Sequence, residues 1–342
     1  MVLGHGARTH KRLGEVSRRS ARFSWRRKMA TTALAVGAGV AALLGWVATA
    51  QAQVVECPDP TMLVEHDASP AVTLMCTGAG FPTRSADNIG SLRFALPHSA
   101  FADDGWPQWA AGAFWSPHLE RVGGHYVLYF SATRQGDHRH CIGVAISDTP
   151  DGGFHDVGQP LVSDEPAGAI DPTVLRVHGA LYLLYKIDGN AHRDPAIIYG
   201  RPLDPNGLSV GRHKLLLRSR SRGWEEGVVE GPTAVHLRNT TYLLYSGGIY
   251  TSAGYAEGEA IRRGRPLGRY QRIDNQPVLH GGKYWVGTGG GSIIRDGGRL
   301  LLAYNAFPTH ERLHRRRLYV RRLRLVGGVL RPSGRPTRIP LF

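Results

Sequence analysis

The sequence has few cysteines and lacks the patterns that identify helical, coiled-coil and multi-module proteins. Its 342 residues include only three cysteines, Cys57, Cys76 and Cys141, and their spacing matches no metal site. It shows no heptad repeat, no long helical pattern and no low-complexity linker, which excludes coiled coils, helical bundles and strings of tethered modules. What remains is a series of short apolar segments separated by turn residues, with 44 glycines, a pattern typical of an all-β protein.

Acidic residues are scarce at the amino terminus. Residues 1–52 contain nine of the 42 Lys and Arg residues but only one of the 27 acidic residues. The rest of the chain therefore has 33 basic and 26 acidic residues, a net charge of +7 instead of +15. So small an excess does not favour a nucleic-acid partner.

One long hydrophobic run is present, over residues 29–50. It follows a basic cluster that ends at Lys28, and it leads into Ala50-Gln51-Ala52, a small-x-small cleavage signature. This order predicts a secretory signal peptide over residues 1–52 and a secreted, extracellular protein. The alternative is an uncleaved membrane anchor, since about 20 apolar residues can span a bilayer.

Export would permit a disulfide bond. Cys57 and Cys76 fall on neighbouring predicted strands, so a disulfide and two free thiols are both open for this pair. Cys141 is then left over, and we expect it to be buried as a small apolar residue.

The chain contains five repeats of one pattern. Their anchor residues lie 57, 55, 60 and 59 residues apart and are Pro60, Pro117, Pro172, Pro232 and Gly291. Each anchor is followed by two segments of alternating apolar character joined by a short turn, as in residues 173–185, which predicts a β-hairpin. Weaker third and fourth strand patterns follow. Four short strands in each unit predict a five-bladed β-propeller of four-stranded antiparallel blades over residues 53–342.

Three acidic residues, Asp59, Asp171 and Glu230, lie next to prolines or glycines at the heads of first strands. The innermost strands of a propeller line its axis, so equivalent strand heads meet at one end of the channel. We therefore expect these three carboxyl groups in one axial cavity, an arrangement suited to acid/base chemistry on a sugar. Asp103-Asp104 is the rival for the first acid, and Glu225-Glu226 is the rival for the last.

With these motifs in place, the chain resembles glycoside hydrolase family 43, whose five-bladed propellers trim arabinan, xylan and related polymers. The shared motifs are Asp59-Pro60, Trp115-Ser116-Pro117, Asp171-Pro172, Glu230-Gly231-Pro232 and residues 141–154. The resemblance implies that Asp59 is the general base, Glu230 the general acid, and Asp171 the residue that orients the acid and adjusts its protonation. An inverting glycosidase needs one carboxylate to activate water and one carboxylic acid to protonate the leaving oxygen.

Two further residues are candidates for substrate binding. Trp115 is either a stacking wall for a sugar ring or a packing residue between blades. Arg316 is the nearest match, by spacing, to an arginine of the last blade that approaches the acids in this family. Many members also carry a fifth-blade histidine near a central ion. Gly290 occupies that position here, which argues against a central calcium, and we expect no metal or cofactor. His138 and His140 are expected on a solvated strand.

The resemblance implies an inverting glycoside hydrolase that cleaves arabinofuranosyl, xylosyl or related linkages in an oligo- or polysaccharide. The predicted signal peptide makes it secreted, and we expect a monomer. Membrane association would require that the leader stays uncleaved. Two alternatives are open. Retaining fructosidases of a related propeller group use Asn-Asp-Pro, Arg-Asp-Pro and Glu-Cys, and this chain differs at all three points. A non-catalytic carbohydrate-binding propeller would fit the missing histidine but gives no reason for three intact acids.

Overall fold

A computed structural model describes residues 55–192, 194–310, 313 and 315–342. The predicted signal peptide, residues 1–52, lies outside this part of the chain. The described residues form nineteen β-strands in five antiparallel sheets, with two short 3₁₀ helices. None of the helices in this part of the chain is long and apolar enough to cross a membrane.

The five sheets follow one another along the chain as blades. Blade one contains β1 (Thr61–Val64), β2 (Val72–Met75) and β3 (Thr83–Ala86). Blade two contains β4 (Ala110–Val122), β5 (His125–Arg134), β6 (His140–Ser147) and β7 (His155–Asp156). Blade three contains β8 (Ala169–Val177), β9 (Ala180–Ile187), β10 (Ile197–Pro202) and β11 (Lys214–Arg218). Blade four contains β12 (Glu230–Leu237), β13 (Thr240–Gly247), β14 (Ala256–Arg263) and β15 (Gln271–Arg272). Blade five contains β16 (Trp285–Asp296), β17 (Arg299–Pro308), β18 (Arg317–Val326) and β19 (Val329–Ile339).

This arrangement confirms the predicted five-bladed β-propeller. Strands pair in simple sequence order within each sheet. Blade one differs from the others because three of its strands form a continuous ladder. An isolated antiparallel bridge between Thr83 and His98 lies where the fourth strand of the other blades runs.

Two-residue turns fix the register of the inner hairpins in blades two to five. In blade three, Val177 pairs with Ala180, which leaves His178 and Gly179 as the turn. Both have positive φ angles, 48° and 87°, as a type I′ turn requires. A register shift of one residue would move every side chain to the opposite face, so these turns determine which residues reach the core.

The hydrophobic cores lie between neighbouring blades. Each large buried cluster draws side chains from two adjacent sheets, and one of them joins blade one to blade five. At that junction, the backbone N–H of Val55 donates to the carbonyl of Leu341 at 2.8 Å. A disulfide joins Cys57 to Cys76 across 19 residues, and Cys141 is free and buried. The ring is therefore closed by both polar and apolar contacts.

Candidate active site

Five residues at equivalent positions surround one end of the propeller axis. Each immediately precedes an anchor residue, and each has a left-handed φ angle between 47° and 62°. They are Asp59, Ser116, Asp171, Gly231 and Gly290, and all five line the same axial cavity. In blades two to five, the strand register shifts at this point. The left-handed residue therefore forms a bulge that turns the strand head toward the axis.

The backbone N–H groups of these residues need acceptors, because a bulge removes them from the ladder. A second set of equivalent positions, at the end of each second strand, supplies them. The hydroxyl of Thr77 accepts from Ser116 at 2.8 Å, Ser131 from Asp171 at 3.0 Å and Ser246 from Gly290 at 2.9 Å. The amide oxygen of Asn305 accepts from Asp59 at 3.2 Å. Each acceptor connects its blade to the next one around the ring.

Lys186 occupies the fifth of these positions and differs from the other four residues, which accept a backbone N–H. An ammonium group has three donors and no acceptor, so it cannot receive the N–H of Gly231. The carboxylate of Asp171 accepts that N–H instead, at 2.9 Å. Lys186 turns to Glu230, with its Nζ 2.9 Å from Oε2. Lys186 is not among the site residues predicted from the sequence. Its signal was available, since it follows Asp171 by 15 residues, as Ser131 follows Ser116.

The three acids predicted at strand heads line one cavity of about 480 Å³, above the axis. Trp115 and Arg316 line it as well. Its remaining walls are formed by Pro58, Thr77, Ser116, His140, Ile170, Lys186, Asp188, Asn190, Gly231, Tyr250, Tyr255 and Gly290. The cavity is therefore built from residues of all five units of the repeat.

Asp59 has one oxygen held and one open. Its Oδ2 accepts from the Thr77 hydroxyl at 2.8 Å. No residue in the described part of the chain donates to its Oδ1. Burial raises the pKa of Asp59 above its usual value, while the charge of Arg316 and the Thr77 hydroxyl oppose the rise. A carboxylate with a raised pKa is a better base, and the open oxygen can accept a proton from water.

Asp171 has both oxygens held. Its Oδ1 accepts from the Ser116 hydroxyl at 2.7 Å, and its Oδ2 accepts from the backbone of Gly231. Burial raises the pKa of Asp171 to about 6, with Lys186 lowering it and Glu230 raising it. Asp171 is also bonded to the residue that follows Glu230, so it fixes the backbone at the head of β12.

Glu230 is held from two sides. Lys186 donates to Oε2, and the hydroxyl of Tyr255 donates to Oε1 at 2.8 Å. Burial lowers the pKa of Lys186, but the charges of Glu230 and Asp171 outweigh this effect and leave that pKa above its ordinary value. Lys186 is therefore a cation at neutral pH. The carboxyl groups of Glu230, Asp171 and Asp188 all interact with this one buried positive charge.

Two aromatic walls flank the carboxyl groups. Trp115 is 38% exposed, and its ring centroid lies 4.5 Å from that of His140. On the other side, the Arg316 guanidinium lies over the ring of Tyr250 at 5.4 Å. Two roles were open for Trp115, a stacking wall for a sugar ring and packing between blades. Its exposure in the cavity favours the stacking wall. Three other aromatic residues, Phe81, Trp106 and Trp224, pack in or against the inter-blade cores.

The rival acids lie elsewhere. Asp104 is exposed and 3.6 Å from His155. Glu225 is buried, but its carboxylate is paired with Arg272 at 2.6 Å and also accepts from the Tyr245 hydroxyl. These contacts join the segment between β11 and β12 to blade four. Its neighbour Glu226 is exposed.

His140 corrects the expectation of a solvated strand. Its Nδ1 lies 3.2 Å from Asp188, its side chain is 17% exposed, and it packs against Trp115. His138 is exposed, as a solvated residue would be.

The residues around Gly290 do not fit a bound metal ion. Gly290 offers no side-chain ligand, and a Cβ at this position would lie 3.1 Å from Oδ1 of Asp59. Among the described residues, no group of three or more His, Cys, Asp or Glu side chains could hold a metal. We therefore assign no chemical step to a metal ion.

The fold and the cavity define a class of proteins, the five-bladed propellers that gather carboxyl groups at one end of the axis. The model of the family "Glycosyl hydrolases family 43" matches residues 54–326. The chain therefore belongs to glycosyl hydrolases family 43.

Individual relatives are more distant. The chain is 26% identical over 197 residues to the probable arabinan endo-1,5-alpha-L-arabinosidase A of Aspergillus fumigatus, a match that covers 54% of this chain and 59% of that protein. The chain thus spans less than two thirds of the length of that relative.

Solved structures share the fold along almost their whole length. An alpha-L-arabinanase of Cellvibrio cellulosa complexed with arabinohexaose has a TM-score of 0.65 at 20% identity, and the match covers 82% of this chain and 96% of that one. An endo-1,4-beta-xylanase from Bacteroides thetaiotaomicron has a TM-score of 0.68 at 24% identity and covers 84% of this chain and 97% of that one.

Proposed function

We propose that the chain is a secreted inverting glycoside hydrolase in which Asp59 is the general base and Glu230 the general acid. Asp171 orients Glu230 through the backbone of Gly231. This proposal rests on a difference in how the carboxyl oxygens are hydrogen-bonded. Oδ1 of Asp59 has no donor in the described part of the chain, whereas the oxygens of Asp171 and Glu230 all do.

The roles of the three acids follow from these contacts. A water molecule at Oδ1 of Asp59 loses a proton to this carboxylate and attacks the anomeric carbon. Glu230, in its protonated form, donates a proton to the leaving glycosidic oxygen as the bond breaks. In an inverting enzyme the two carboxyl groups stand roughly 6.5–9.5 Å apart, which leaves room for the water between acid and sugar. Asp171 accepts the backbone N–H of Gly231, next to Glu230, so it suits a positioning role.

The proposed substrate class is based on the named relatives and on the residues that line the cavity. Named relatives act on arabinan, and a structural neighbour is named a xylanase. We propose arabinofuranosyl or xylosyl linkages of an oligo- or polysaccharide, with the sugar against Trp115. Aromatic faces contribute large apolar contact area while leaving sugar hydroxyls free to hydrogen-bond. The basic leader and apolar run of residues 1–52 support export of the enzyme.

A screen of aryl glycosides tests the proposal. Purified protein is incubated with 4-nitrophenyl α-L-arabinofuranoside and β-D-xylopyranoside, and proton NMR follows the anomer first released. We expect turnover of at least one compound with inversion of configuration. Asp59→Asn should lose about 10²–10⁴-fold in rate, the usual size of a general-base contribution. Asp148→Asn, at an exposed site paired with His125, is the matched control and should keep full activity.

Each possible result decides between functions. Release of the retained anomer would overturn the inverting mechanism and favour the fructosidase-like alternative. Binding of arabino-oligosaccharides without turnover would favour a carbohydrate-binding propeller.

A further inference from the structure

Lys186 is the most unusual side chain of the cavity. It is 2% exposed at the end of β9, where the other four blades place a hydroxyl or an amide oxygen. Its Nζ lies 2.9 Å from Oε2 of Glu230 and 3.7 Å from Oδ1 of Asp188. A buried charge is costly unless it is paired. Lys186 is paired, but it cannot accept the backbone N–H that the equivalent residue of each other blade accepts.

The two partners of Glu230 differ in what they can do. The ammonium of Lys186 has only donors, whereas the hydroxyl of Tyr255 can both donate and accept. If the acid proton were on Oε2, two donors would face each other and one would be left unsatisfied. A proton on Oε1 meets the oxygen of Tyr255, which accepts it once its own O–H turns away. The donor pattern therefore distinguishes the two oxygens of the carboxyl group.

We propose that Lys186 is a positioning residue that confines the transferable proton of Glu230 to Oε1, so that the leaving oxygen receives its proton from that oxygen. The proposal rests on the proposed function, in which Glu230 is the general acid. It goes further because it assigns the two oxygens of one carboxyl group different tasks. Asp188 holds Lys186 from behind, and Asp188 is in turn in contact with His140.

The pH behaviour of this arrangement involves every charged or titratable group around it. Around Lys186 and Glu230 these groups are Asp59, His140, Asp171, Asp188, Tyr255, Glu257 and Arg316. Among them, Asp171 is the useful reporter, because Lys186 lowers its pKa directly.

Leaving groups of different acidity provide the test. A 2,4-dinitrophenolate departs without a proton, whereas a phenolate needs one from the acid. The rates for both aryl glycosides, with the sugar that the wild-type chain hydrolyses, are compared in Lys186→Met, Lys186→Arg and Lys214→Met. Lys214 is an exposed lysine on β11 of the same blade and serves as the matched control. Lys186→Gln replaces the ammonium with a shorter neutral group and stands in if Lys186→Met does not fold.

A positioning role predicts a selective loss. Lys186→Met should reduce kcat/KM for the phenyl glycoside by about 10²-fold or more, a typical contribution of a positioned acid, and the dinitrophenyl glycoside should lose far less. Lys186→Arg, which again has only donors, should restore most of the phenyl rate. Carbon-13 NMR of the Asp171 carboxyl should show a higher titration midpoint in Lys186→Met.

Three results would overturn parts of this picture separately. An equal loss for both leaving groups would show that Lys186 acts only in folding or binding. An unchanged Asp171 titration would show that the ammonium does not face these carboxyls. Absence of turnover by the wild-type chain would reject the proposed function itself, while the Asp171 titration would still report on Lys186.

Discussion

Glu257 offers the sharpest test of how the site is built, because its carboxyl group is fully buried behind the cavity. Its Oε1 accepts from the backbone of Gly291 at 2.7 Å and from the hydroxyl of Ser246 at 3.2 Å. Its Oε2 has no hydrogen-bond partner among the described residues. Burial raises the pKa of Glu257 from 4.5 to about 7, although both donors oppose the rise. The folded protein therefore keeps a proton on Glu257 at pH values where the unfolded chain has lost it.

The sign and size of the stability effect follow from this difference. A raised pKa contributes stability that is fully present below pH 4.5 and is lost as pH rises through about 7. The difference between these two pKa values corresponds to about 3 kcal/mol of free energy of unfolding. Glu257→Gln removes the titration and keeps an acceptor for Gly291. Relative to wild type, it should therefore be more stable at pH 9 than at pH 4 by about 3 kcal/mol.

Urea unfolding at the two pH values measures this change, with circular dichroism as the readout. Comparison of the mutant with the wild type at each pH cancels the titration of all other groups. Glu226→Gln, on an exposed residue, is the control and should show no pH-dependent difference. If Glu257→Gln shifts the free energy of unfolding equally at both pH values, the carboxyl group is not desolvated in the way described.

Three further predictions concern residues around the same cavity. Replacing Cys57 and Cys76 together by serine should lower the free energy of unfolding by about 3 kcal/mol, because a closed loop of this length loses that much restriction of the unfolded chain; reversible denaturation under oxidising conditions checks it. Gly290→Ala should reduce kcat about 10-fold or more, since the new Cβ would meet Oδ1 of Asp59 and displace the base, and steady-state kinetics measure the loss. It should also cost about 1–2 kcal/mol of stability, because an alanine would adopt a left-handed φ. Trp115→Ala should raise KM with kcat nearly unchanged, and an unchanged KM would show that the exposed indole does not contact the sugar.

The repeat made the fold predictable from the sequence. Five anchors at nearly constant spacing, with alternating strands and tight turns, are local signals that recur and support one another. Blade one differs most from the others in the structure, where its fourth strand is reduced to a single bridge at His98. The strand heads were predictable for the same reason, because equivalent positions in a ring face the same axis.

The repeat marks the position of Lys186, but it does not show which acid a residue at that position contacts. Lys186 and Tyr255 come from the ends of second and third strands, and their contacts with Glu230 depend on how neighbouring blades dock. Glu225 looked like a rival acid because it lies close to Glu230 in sequence. It is bound by Arg272, 47 residues further along the chain, a pairing that no local pattern reveals. Long-range polar contacts determine these roles.

The contacts between the first and last blades determine when the protein becomes active during folding. Asp59 lies two residues after Cys57, and its backbone is fixed by Asn305, which is 246 residues away in sequence and also binds the carbonyl of Cys57. An intermediate that lacks only this junction would contain Asp171, Lys186 and Glu230 in place, but Asp59, the proposed base, would not be fixed. With Asp59 in that role, activity requires the junction between blades one and five, so its appearance during refolding should report completion of the whole ring.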